Sequence, residues 1–102
     1  MDIDHLQTGF TYLLLERVNP EQNENRFYYL AWQPSLLEDG TVVRSYGRKD
    51  GQRRTLTPLF YPSLTEAWPV IRALLRRRLR HGYQIIEPED VAEGVKRMQL
   101  SQ

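Results

Sequence analysis

The sequence predicts an α+β fold: an antiparallel β-sheet of four to five strands, one long α-helix and a short C-terminal helix. Three observations predict it. Two runs rich in aromatic and aliphatic residues flank a polar break; a turn signal joins two further extended runs; a capped stretch then carries apolar residues at helical spacing.

The first strand is predicted over residues 11–18 (TYLLLERV) and the second over 26–33 (RFYYLAWQ), separated by Asn19-Pro20-Glu21-Gln22-Asn23-Glu24-Asn25. Alternation sends Phe27, Tyr29 and Ala31 to one face and Tyr28, Leu30 and Trp32 to the other. Both sets are apolar, so the second strand is expected to be central and covered on both sides. Leu36 and Leu37 lie in the next connection and read as small core plugs. After Glu38-Asp39-Gly40 a third strand runs from Thr41 to Arg48; Asp50-Gly51 offers a two-residue turn with φ > 0, and residues 52–59 return antiparallel. Ser63-Leu64-Thr65-Glu66 has the form of a capping box and opens a helix over residues 64–81, with Ala67 or Trp68, Ile71, Leu74 or Leu75, and Arg78 or Leu79 recurring at helical spacing. Pro69 should loosen or kink the first turns, and Gly82 is placed to end the helix. Tyr83 to Ile86 adds an edge strand, and Val91, Val95 and Met98 give a short amphipathic tail helix.

Composition bounds the function. A chain of 102 residues with 40% hydrophobic side chains supports one modest core. The absence of cysteine excludes disulfides, thiol nucleophiles and thiolate zinc sites. No stretch has the apolar length of a membrane span and the first ten residues lack a signal core, so a soluble, cytoplasmic protein is expected, with no membrane partner. The formal net charge of +1 is unevenly spread. Residues 44–80 hold ten Lys or Arg against two acids, a net +8, and the rest of the chain carries −7. This balance suits a segment that faces a polyanion in an otherwise acidic protein; it equally suits charge pairing within the molecule.

The charge is densest in residues 44–54 (RSYGRKDGQRR), where Arg44, Arg48, Lys49, Arg53 and Arg54 surround Tyr46, Gly47 and Gly51. A two-residue turn sets Arg48 opposite Arg53, on the face that also carries Arg44 and Tyr46. Like charges across a strand pair are destabilising unless an anion binds between them, and a tyrosine beside guanidiniums can stack on a sugar or base while they hold phosphates. The competing reading is that the arginines splay into water and Tyr46 is a packing residue.

Tyr46-Gly47-Arg48 resembles the Trp-Gly-Arg signature of WGR domains, with tyrosine for tryptophan. The resemblance extends to Leu15-Glu16-Arg17, Asn19-Pro20, Asn25-Arg26-Phe27-Tyr28, Gly51-Gln52, Ser63 with Glu66-Ala67, and Gly82-Tyr83, and so covers about residues 11–83. It implies an antiparallel sheet packed with one long helix, and a nucleic-acid role, because WGR domains of poly(ADP-ribose) polymerases bind DNA at breaks. By the same resemblance Tyr46 would pack on a terminal sugar or base, Arg48 would contact the backbone or groove, and Asn25 and Arg26 would sit near a terminal phosphate. The chain also resembles small bacterial proteins made of little more than this domain. The division expected is an N-terminal extension over 1–10, the WGR-like domain over 11–86 and a helical tail over 87–102.

Chemistry has little support. His5 and His81 lack metal-ligand spacing, the acids Glu87, Glu89, Asp90 and Glu93 read as a helix N-terminal cluster, and Gly47 and Gly51 do not form a P-loop. Arg72, Arg76, Arg77, Arg78 and Arg80 spread around the exposed side of the helix and suit its C-terminal dipole. The expectation is therefore a non-enzymatic module without cofactor or metal. It would bind nucleic acid, DNA ends or nicks, through Arg44, Tyr46, Gly47, Arg48, Lys49, Arg53, Arg54, Asn25 and Arg26. The alternative is a protein-interaction or self-associating module whose basic hairpin docks on an acidic partner.

Overall fold

In the computed structural model, which describes residues 3–86, six antiparallel strands form one sheet with a single long helix across one face. Strand β1 (Tyr12–Asn19) pairs with β2 (Glu24–Pro34), β2 with β3 (Gly40–Arg48), and β3 with two short segments in succession, β4 (Arg53–Thr55) and β5 (Leu59–Tyr61). Helix α1 (Leu64–Arg80) follows, and β6 (Gln84–Ile86) returns to pair with β1 at the opposite edge. The long returning strand expected over residues 52–59 is thus two pieces. Pro58 cannot donate to a ladder, and the chain leaves the strand line before it, after a last bond in register from Leu56 N–H to Arg44 O (3.0 Å). The tail helix expected after Pro88 lies outside the described residues.

Pairing brings Leu13 and Leu15 of β1, Tyr28, Leu30 and Trp32 of β2, and Val42 of β3 to one face, where Ala67, Trp68, Ile71 and Leu75 of α1 pack on them. The residues before β1 complete this core. Ile3 is fully buried, Phe10 meets Trp68 edge to face at 5.8 Å, and the Trp68 indole N–H donates to Asp4 Oδ1 (2.9 Å), which also receives Arg72 Nη1 (3.2 Å).

The helix begins as its capping residues dictate, with Ser63 Oγ accepting from Glu66 N–H (3.2 Å). Pro69 does not break it. Proline there forfeits only the bond to the Thr65 carbonyl, in the exposed first turns where water can substitute. At the far end Gly82 has φ +87°, its N–H donates to Leu79 O (3.2 Å), and Tyr83 N–H donates to Arg78 O (3.1 Å). These two bonds are a Schellman closure.

Two further expectations are corrected. Among the described residues no helix covers the second face of β2; Tyr12, Phe27, Tyr29 and Val43 half-bury one another there, with Tyr12 and Tyr29 stacked at 5.9 Å. Leu36 and Leu37 are not core plugs but exposed. Ser35 N–H donates to Asp39 O (2.8 Å) and the Ser35 hydroxyl bonds the Asp39 carboxylate, so polar bonds close the loop at its base and leave both leucines outside.

Candidate nucleic-acid interface

The β3–β4 turn is longer than the two residues expected. Ser45, Tyr46 and Gly47 pair with Thr55, Arg54 and Arg53, so residues 48–52 form the connection, with Gly51 N–H donating to Arg48 O (3.2 Å). Gly51 is not among the glycines with positive φ; the special position is Gly47, where a Cβ would overlap the Gln52 carbonyl oxygen. The loop folds back over Gly47, and only glycine admits that approach.

The register shift redistributes the charges, because one residue of slip exchanges the two faces of a strand. Arg48 does not oppose Arg53. Arg48 is paired with Arg26, which is in turn paired with Arg17, so three strands carry a row of arginines. Arg54 lies opposite Tyr46 on that same face. Arg53 falls on the other face, where its guanidinium lies over the Tyr29 ring (5.2 Å) and donates to the buried Ser45 Oγ (3.1 Å). Lys49 forms an ion pair with Glu16 (2.9 Å). Asn25 sits opposite Val18 on the outer face, its buried Oδ1 without a partner, while its carbonyl receives Lys49 N–H (2.9 Å). Arg44 stays on the helix side but donates to Thr57 O (3.1 Å), away from the arginine row.

Past the helix end the sheet face opens into a cavity of about 420 Å³ lined by Arg26, Tyr46, Gly47, Arg48, Gln52, Arg54, Arg78 and Tyr83. Of the nine residues expected at a site, this cavity gathers Arg26, Tyr46, Gly47, Arg48 and Arg54; Arg44, Lys49, Arg53 and Asn25 are elsewhere. Arg78, Tyr83 and Gln52 are additions. Arg78 lies over the Tyr28 ring at 4.3 Å and 5.8 Å from the centroid of Tyr83, with its Nε buried and unpartnered. The Schellman bond from Tyr83 N–H to Arg78 O is what holds these two residues together. Gly82-Tyr83 after an arginine-rich helix end was the sequence signal that could have led to them.

Four guanidiniums thus face one concavity whose lining, among the described residues, contains no acid. Among the described residues the one carboxylate bonded to any of them is Asp50, which reaches Arg48 Nε at 3.3 Å from the exposed turn. Arg48 also donates to Asn23 O (3.2 Å), which fixes it against the β1–β2 connection. Arg26 and Arg54 have no ion pair among the described residues. Under the cavity, burial pushes the Tyr28 phenol above its ordinary pKa even though Arg78 opposes the shift, so the floor is a neutral ring. Such a site can hold phosphate oxygens by several charge-assisted bonds and offer Tyr46 to a sugar or base. Among the described residues no group of histidine and carboxylate side chains is arranged to hold a metal ion.

The sheet, the single long helix and the basic cavity define a small binding domain. The family model of the WGR domain matches residues 11–90, most of the chain, and the protein belongs to the WGR domain family. WGR domains are nucleic-acid-binding modules rather than catalytic ones. Comparison with curated proteins and with solved structures found no match for the chain.

Proposed function

We propose that this domain binds DNA at ends or nicks, with a terminal phosphate and its nucleotide seated in the basic cavity. The observation that carries this reading is the convergence of Arg26, Arg48, Arg54 and Arg78 with Tyr46 on one concavity that no acid lines among the described residues. Four cations so close repel one another, and a phosphate among them turns that cost into attraction. A duplex end supports the fit better than continuous duplex, because the cavity is bounded by the β3–β4 loop and the helix end, and a terminus can enter where a through-running backbone would have to bend. In this arrangement Tyr46 stacks on the terminal sugar or base, Arg48 contacts the backbone beside it, and Arg78, held over the Tyr28 ring, presents a preoriented charge.

The test is fluorescence anisotropy of a short labelled duplex with a 5′-phosphate, at two salt concentrations, with Tyr46→Ala/Arg48→Ala as the comparison. The wild type should bind at low salt, weaken as salt rises, and prefer the duplex end over heparin; the double variant should lose most of the affinity while remaining folded. Equal binding by the double variant, or a ready exchange of the duplex for heparin, would overturn the reading.

A further inference from the structure

The end of the sheet remote from the basic cavity has the opposite character. Leu36 and Leu37 are 103% and 81% exposed on the β2–β3 connection, and Phe60 on the edge strand β5 is 81% exposed. Phe60 pairs with Thr41, next to the base of that connection where Pro34 pairs with Gly40, and shares a shallow cavity of about 420 Å³ with Asp39, Tyr61 and Pro62. Three large apolar side chains in water at one end of a small domain leave unsatisfied hydrophobic area, and a connection closed by the Ser35 and Asp39 bonds presents its leucines without the ordering cost of a loose loop. The chain segments that carry these side chains hold charges of one sign, and the Arg44 guanidinium reaches only their edge, at Thr57 O (3.1 Å). Residues 33–41 and 57–66 contain Glu38, Asp39 and Glu66 and no Lys or Arg.

From this pairing of exposed apolar groups with acids we infer that this end is a docking surface for a protein segment that carries apolar side chains flanked by lysine or arginine. Charge complementarity selects that occupant. A second copy meeting the same patch would set Glu38 and Asp39 of each chain against the other's acids, and an anionic lipid surface or a nucleic acid would be repelled. The β2 strand is 11 residues long, which at a rise of about 3.3 Å per residue puts the two ends of the domain about 30 Å apart. A protein held here leaves the basic cavity open, and the domain can join a protein to a nucleic acid. The inference does not depend on what fills the cavity.

The experiment is anisotropy of a short labelled peptide with leucine and lysine at helical spacing, against a leucine and glutamate peptide of equal length. The proteins are the wild type, Leu36→Ser/Leu37→Ser, Phe60→Ser, and Arg26→Ala/Arg48→Ala, each checked for an unchanged melting temperature. The leucine and lysine peptide should bind the wild type at least about tenfold more tightly than its acidic counterpart, and each apolar variant should lose about tenfold, the effect of one well-buried anchor. The Arg26→Ala/Arg48→Ala protein should bind the peptide as the wild type does. No preference between peptides, or unchanged binding by the apolar variants, overturns the inference. Sedimentation showing a wild-type dimer that Leu36→Ser/Leu37→Ser converts to monomer would overturn it too, by assigning the patch to a second copy.

Discussion

The adjacent arginines Arg53 and Arg54 show how little side-chain identity says about role at the residue scale. Arg54 enters the cavity opposite Tyr46; Arg53 turns to the other face and lies on Tyr29. If Arg54 holds a phosphate, Arg54→Ala should lower the slope of log affinity against log salt by about one, the counterion equivalent of one contact. Arg53→Ala should leave that slope unchanged and lower stability by about 0.5–1 kcal/mol through loss of the ring contact and of its bond to Ser45. A duplex titration over salt and a urea melt on both variants separate the two, and equal salt slopes would contradict the division of roles. From sequence the two residues look alike. Their sorting depends on strand register, and register depends on a turn length that Asp50-Gly51 misstates, since the close backbone approach falls at Gly47.

At the scale of elements, the end of α1 forms one side of the cavity through Arg78 and Tyr83. Gly82 in the left-handed region lets the chain reverse, so that Tyr83 arrives beside Arg78. A Cβ at Gly82 would make only an ordinary contact with Arg17 Cδ at 3.5 Å, so Gly82→Ala is strained in conformation rather than in space. It should destabilise the domain by about 1–2 kcal/mol, read as a lowered urea midpoint at constant m-value. The helix itself was legible: the Ser63 cap, the apolar stripe and the terminal glycine all act locally, and each is where the sequence puts it. Arg78 was not legible as a cavity residue. One helix arginine among Arg72, Arg76, Arg77, Arg78 and Arg80 is distinguished only by the Tyr28 ring beneath it, and Tyr28 lies fifty residues earlier in the chain, on β2.

For the whole molecule, four guanidiniums gather at one end of the sheet and Glu38 and Asp39 lie beside exposed leucines at the other, while other acids pair within the molecule, Glu16 with Lys49, Glu24 with Arg17 and Asp4 with Arg72. The sheet's membership was legible because aromatic and β-branched runs mark strands wherever they pair. Which loop leucines are left outside was not, since burial is decided by how the loop closes. The residues before β1 also carry an electrostatic term. The hydrogen bond from the Trp68 indole holds the Asp4 carboxyl below the ordinary carboxylate pKa, partial burial opposes that shift, and Arg72 reinforces it. A lowered native pKa means stability that is complete above the unfolded carboxylate value and lost as pH falls through the native one. Asp4→Asn should therefore be less stable than the wild type at pH 7, and the gap in melting temperature should close in acid below the ordinary carboxylate range. A gap of constant size down to pH 3 would assign the contribution to shape rather than charge.

The five-residue connection between β3 and β4 gives the doublet Arg53-Arg54 a meaning for sequence drift. Loss or gain of one residue in that connection would rotate β4 by half a pleat and exchange its two faces. Because both positions hold arginine, the exchange would still deliver one guanidinium to the cavity and one to the Tyr29 ring. The doublet makes the domain's charge pattern insensitive to such a slip, a tolerance that a single arginine beside any neutral neighbour would lack.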